Sequence, residues 1–162
     1  MRFTPSAIDG VVVVDIEPRT DERGAFARLH CPDEFAAAGH PFEPAQTSLS
    51  RNPYAFTLRG LHYQPAPHAE VKLVRVVRGR IFDVAVDLRP DSPTYRKWAA
   101  TELSAENGRA VLIGEGLAHG FRRSKPTPTC STRSARSSSR GVRPACAGTT
   151  RRSASSGRRR LR

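Results

Sequence analysis

The sequence predicts an all-β domain of the sandwich or barrel kind, followed by a polar tail. Short β-branched and apolar runs recur between Gly, Asn and Asp turn signals, roughly every 8 to 12 residues. A strict period-two alternation runs over 81–88. After Phe121 the composition changes abruptly.

Taken in order, Val11 to Ile16 is a buried strand, and Asp21-Glu22-Arg23-Gly24 is a turn into a second strand, Ala25 to His30. Asp33 to Ala38 forms one short helix with Asp33 as its cap. Val71 to Val77 is a β-rich run joined to Ile81 by Arg78-Gly79-Arg80, read as a tight hairpin with Gly79 at positive φ. Along Ile81 to Leu88, Phe82, Val84, Val86 and Leu88 alternate with Ile81, Asp83, Ala85 and Asp87. Strand geometry then puts the apolar set on one sheet face and the two carboxylates on the other. Lys97 to Leu103 and Arg109 to Ile113 flank Glu106-Asn107-Gly108, a second hairpin signal.

The net charge of +12 would suggest an anionic partner, but its distribution argues otherwise. Residues 122–162 hold 13 of the 27 Lys and Arg and no Asp or Glu, leaving 14 basic against 15 acidic side chains in 1–121. Nucleic-acid binding is therefore expected at most through the tail. The tail also lacks Phe, Tyr, Trp, Ile and Met, so it cannot bury enough apolar surface to offset its chain entropy and is expected to be disordered. Cys31, Cys130 and Cys146 form no C-x-x-C pair and are odd in number, which suits a reducing cytoplasm. The apolar run Val11 to Val14 is too short for a membrane span or signal core. No G-x-G-x-x-G or P-loop follows a strand.

Of five histidines, His62 and His119 lie in polar, Gly-marked surroundings and can be either structural or catalytic. His62, His68, Glu70 and His119 are an alternative metal set, although no His-x-His pair is present. Lys72 alternates with Val74 and Val76, which leaves it either an exposed edge residue or a buried functional cation. Arg23 and Arg59 are surface charges or an anion clamp, since Arg binds phosphate bidentately.

Six strings go further: D-E-R-G-A-F at 21–26, T-L-R-G-L-H-Y-Q at 57–64, K-L-V-R-V-V-R-G at 72–79, F-D-V-A-V-D-L-R at 82–89, S-P-T at 92–94 and G-L-A-H-G-F at 116–121. With them the sequence resembles the dTDP-4-dehydrorhamnose 3,5-epimerase family of cupin-like jelly rolls. The resemblance implies a dTDP-linked 4-keto-6-deoxy sugar as substrate, a homodimer with shared β strands, and no cofactor or metal. It implies inversion at C3, C5 or both, beside the ketone: a base removes an acidified C–H proton, and an acid returns one to the opposite face of the enolate. The base maps onto His62 and the enolate-stabilising cation onto Lys72. His119, Arg23, Arg59, Gln46 and Ser48 map onto positions holding the sugar and diphosphate. Gly114 replaces the usual Pro, and Arg28 stands where many members carry Glu.

The resemblance is expected to stop after Phe121, leaving 1–121 as a jelly roll without its last strands. Read one nucleotide out of frame, residues 122–134 can encode Q-T-L-E-A-D-T-D-V-L-Y-Q-I, with the family's proton-donating Tyr at the slot of Thr132. The expectation is that the tail is a frameshift product, with one nucleotide lost near codon 122, and that the chain is poorly soluble and at most weakly active. The runner-up function is a non-catalytic or metal-binding cupin that binds sugar nucleotides.

Overall fold

The computed structural model describes residues 1–124 and the backbone of 130–136. Among these residues there are twelve strands and one short helix. A six-stranded sheet has the order β1 (Arg2–Pro5), β2 (Val11–Asp15), β10 (Ala110–Ile113), β7 (Lys72–Arg78), β12 (Cys130–Arg136), β5 (Gln46–Asn52). A four-stranded sheet has the order β6 (Leu58–His62), β11 (Leu117–Arg123), β8 (Arg80–Asp87), β9 (Trp98–Ser104). The strands β3 (Arg19–Asp21) and β4 (Gly24–Phe26) form a hairpin belonging to neither.

The two sheets pack face to face on Ile8, Val11, Val74, Val76, Val111 and Ile113 from one side and Ile81, Ala85, Leu103, Leu117 and Phe121 from the other. A second apolar layer lies on the opposite face of the large sheet, where Val12, Val14, Ala110 and Leu112 meet Phe35 and Phe42. Strands β2 and β10 are thus buried on both faces, which is why Val11–Val14 and Ala110–Ile113 are unbroken apolar runs rather than alternating ones. Phe35 sits on α1 (Pro32–Ala37), whose N-cap is Cys31 with no side-chain cap, not Asp33 as expected. Pro32 begins the helix, and Asp33 lies one step inside it, where a carboxylate still favours the helix dipole.

Both expected hairpins are corners instead. Strand β7 belongs to the large sheet and β8 to the small one, and likewise β10 and β9. Gly79, at φ 80°, and Gly108, at φ 59°, do supply the positive φ their turns need, but the chain uses it to change sheets. The two corners meet where Ala105 N donates to the Gly79 carbonyl at 2.9 Å. Turn chemistry specifies a reversal; whether the flanking strands pair with each other depends on sheet packing.

The alternation on β8 is real, and the face that turns inward is the one that carries the two carboxylates. Ile81, Asp83, Ala85 and Asp87 face inward, while Phe82 is half-exposed and Val84 and Val86 are partly buried. The outer face of the small sheet, with Leu58, Leu61, Phe82 and Trp98, is consequently apolar and exposed. The carboxylates tolerate burial because both are paired. Asp87 accepts Arg89 Nε and Nη2 at 3.0 and 2.8 Å, and also the hydroxyls of Ser92 and Thr94 at 2.5 and 2.7 Å. Asp83 is paired within the site described below.

Three further boundaries differ. The strand expected over Ala25 to His30 ends at Phe26. The limit drawn after Phe121 falls inside β11, which runs to Arg123. Cys130–Arg136, expected to be disordered, is β12, antiparallel to both β5 and β7. Residues 125–129 and 137–162, including the remainder of the expected disordered tail and Cys146, lie outside the described residues.

Candidate active site

The site is built where β6 meets β11. Plain alternation would put Arg59 and His62 on opposite faces of β6. The register shows otherwise: Arg59 is opposite Phe121 and His62 opposite His119, with Gly120 left facing the two residues Gly60 and Leu61. This one-residue bulge turns both Arg59 and His62 to the face that carries Phe121 and His119. Gly60 is required there, since its φ is +108° and a Cβ would lie 2.6 Å from Gly120 Cα.

His119 is buried, and its Nε2 lies 2.8 Å from Asp83 Oδ2. Asp83 and Phe121 are paired across β8 and β11, so the contact is a diagonal one on the inner face. With Nε2–H donating to the carboxylate, Nδ1 is the ring atom left to meet a ligand. His62 is exposed and stands directly across from this pair.

Lys72 opens β7 on the inner side, in line with Val74 and Val76. Its side chain is 14% exposed and its Nζ lies 3.0 Å from Glu70 Oε1, so it is a partly buried, carboxylate-paired cation rather than an exposed edge residue. Gln64 Nε2 donates to the same oxygen at 3.2 Å. The chain Gln64–Glu70–Lys72 ties the segment just after His62 to the start of β7.

Gln46 and Ser48 lie on β5, on the same face as Ser50 and Asn52. Ser50, position 132 and Val76 are in register across β5, β12 and β7, so this is the inner face. Asn52 is buried and its Oδ1 accepts Arg59 Nε at 2.6 Å, joining the row to Arg59. Arg23 is not brought to the others. It is exposed on the β3–β4 hairpin and its Nε and Nη2 bind Asp21 at 3.2 and 2.6 Å, an interaction that holds the Asp21 carboxyl below the usual carboxylate range.

The alternative metal set is not gathered either: among the described residues no group of three His, Cys, Asp or Glu is placed to hold an ion. Glu70 is engaged with Lys72, and His119 with Asp83. Arg28, at the position where the family resemblance implies Glu, pairs with Glu34 of α1 at 2.5 Å. Gly114 donates its amide to the Gly10 carbonyl at 2.8 Å. Sequence reasoning missed Asp83 and Asn52. The signal for Asp83 was present, as one of two carboxylates sharing a face of the β8 alternation, but alternation alone does not say which face is buried.

The model for dTDP-4-dehydrorhamnose 3,5-epimerase matches residues 5–143. The chain belongs to the dTDP-4-dehydrorhamnose 3,5-epimerase family. The match continues past Phe121, where the resemblance was expected to stop, and takes in β12. A dTDP-4-dehydrorhamnose 3-epimerase from Streptomyces niveus is 43% identical over 122 residues, 75% of this chain and 58% of that protein. The aligned part of the chain thus spans less than two thirds of that relative's length. The crystal structure of dTDP-4-dehydrorhamnose 3,5-epimerase from Bacillus anthracis, with TDP and PPi bound, superposes with a TM-score of 0.79 at 32% identity, covering 83% of this chain and 76% of that one. The Legionella pneumophila enzyme in complex with dTDP-4-keto-L-rhamnose gives 0.76 at 33% identity, covering 83% and 70%. These are jelly rolls of the same family, in agreement with the fold expected from the sequence. No described helix is long and apolar enough to cross a membrane.

Proposed function

We propose that this chain acts on dTDP-4-dehydro-6-deoxy-D-glucose, removing a proton at C3, C5 or both without a cofactor, as a cytoplasmic isomerase of deoxysugar biosynthesis. The observation that carries the reading is the bulge that turns His62 and Arg59 to the inner face beside His119, with Lys72 tied through Glu70 and Gln64 to the segment just after His62. His62 is the base. Lys72 offsets the negative charge that develops on the ketone oxygen as the C–H bond breaks. Arg59, Gln46, Ser48 and His119 bind the diphosphate and sugar. Both similar structures carry ligands of this chemistry, TDP with PPi in one and a dTDP-keto sugar in the other.

Arg23 joins the same function through a homodimer, in which the detached β3–β4 hairpin of one copy reaches the site of the other. Mixing Arg23→Ala and His62→Ala chains tests this: activity recovered in the mixture supports shared sites, and no recovery removes Arg23 from the assignment.

The opposite-face acid is a separate matter. Position 132, where the family resemblance places a Tyr, lies in β12 between Ser50 and Val76 and is Thr in this chain. The frame change proposed for the tail therefore alters side chains along β12 rather than the presence of the strand. The buried Arg123 supports it, since Nε and Nη2 have no hydrogen-bond partner among the described residues, a costly side chain for an inner position. Sequencing the gene across codon 122 tests it, and an intact frame with no homologous peptide in the next frame would end it.

With Thr rather than Tyr at position 132, the enolate is reprotonated by the same His62 that formed it. The expected reaction is solvent deuterium incorporation next to the ketone with retained configuration, slow net inversion, and loss of both in His62→Ala. Net inversion at a rate matching exchange would overturn the view of position 132. Tight dTDP binding with no exchange would favour the non-catalytic cupin.

A further inference from the structure

Arg23 and Arg59 carry the same guanidinium and are held in opposite ways. Arg23 gives Nε and Nη2 to a carboxylate, which offsets its charge. Arg59 gives Nε to the neutral amide oxygen of Asn52, at 2.6 Å, and its Nη groups make no hydrogen bond among the described residues. A neutral acceptor fixes the plane of a guanidinium without neutralising it, and leaves the Nη edge for the bidentate geometry in which Arg binds phosphoryl oxygens.

Asn52 is itself well determined. It is 1% exposed at the end of β5, and its Nδ2 donates to Ser50 Oγ at 3.3 Å. Exchanging the amide's O and N would set two donors, Nδ2 and Arg59 Nε, against each other, so the network admits one orientation. Ser50 and Asn52 continue the inner-face row of Gln46 and Ser48, and the row ends on the guanidinium.

We propose that Asn52 is a positioning residue for anion binding, holding Arg59 by its Nε edge so that the full charge and both Nη groups are presented to the diphosphate. This rests on the assignment of Arg59 to the clamp. It makes the choice of amide rather than carboxylate at position 52 decisive: an Asp there would keep the contact and cancel the charge.

The test is calorimetric titration of the full chain and its variants with inorganic pyrophosphate and with TDP, alongside thermal melting. Asn52→Ala is expected to weaken pyrophosphate binding about tenfold, the loss of roughly one charge-assisted hydrogen bond. Asn52→Asp is expected to weaken it further while melting no lower than Asn52→Ala, a combination that a purely structural role does not produce. In an Arg59→Ala background, Asn52→Ala should add less than about twofold, because it acts through Arg59. Losses that multiply, or an Asn52→Asp chain that binds like the parent, would overturn the proposal. An Arg59→Ala chain binding pyrophosphate as tightly as the parent would remove the clamp itself, and the role of Asn52 with it.

Discussion

His62 and His119 face each other across β6 and β11, and a single extra residue in β6 sets Arg59 on the same face. One wall of the barrel therefore carries a solvent-accessible imidazole, a second imidazole backed by Asp83, and a guanidinium backed by Asn52. The exposed ring is suited to proton transfer and the two anchored groups to binding.

This division of labour predicts a clean separation in variants. His62→Asn should lower deuterium exchange by about 10²- to 10⁴-fold, the usual contribution of a positioned general base, while TDP affinity changes less than about threefold. Exchange followed by NMR and binding by calorimetry check it; a parallel fall in both would place His62 among the binding groups.

The bulge itself can be tested at Gly60. Alanine there must adopt a φ of +108° and place a methyl 2.6 Å from Gly120 Cα. Gly60→Ala is expected to cost more than about 1 kcal/mol in urea unfolding and to reduce exchange as strongly as loss of His62. A stable, active variant would show that the register shift does not depend on a bare backbone.

The buried Asp87 sets an acid limit on stability. The Arg89 guanidinium, aided by the Ser92 and Thr94 hydroxyls, holds its carboxyl well below the usual carboxylate range, against the opposing effect of burial. The resulting stabilisation is complete above the unfolded-state pKa of about 3.9 and is lost as the pH falls from there through the folded value. Between neutrality and pH 3 the parent should lose stability more steeply than Asp87→Asn, which should be less stable at pH 7. Urea midpoints measured across that range decide it, and parallel curves would mean that Asp87 is not linked to acid unfolding.

Arg123 offers the opposite expectation, a gain on substitution. It is 1% exposed, and Nη1 alone is satisfied among the described residues, by the Pro53 carbonyl at 3.1 Å. Arg123→Thr should raise stability by about 1–3 kcal/mol, the desolvation cost of leaving polar groups unpaired. A fall in melting temperature would mean that the arginine has partners in solution.

Much of this protein was legible in the sequence by itself because its signals are local. Val11–Val14 announces a buried strand, Gly79 and Gly108 announce turns, and the motif strings between Asp21 and Phe121 announce the family. What only the tertiary structure decided were the outcomes of long-range pairing. Gly79 and Gly108 turn the chain between sheets rather than into hairpins, because the strands on either side find better partners elsewhere. The β8 alternation divides its residues into two faces, but which face is buried depended on His119, 36 residues away from Asp83, and on Arg89, Ser92 and Thr94 around Asp87. The same holds for Arg59 and His62: three residues apart, they share a face only because Gly120 on the neighbouring strand leaves room for a bulge.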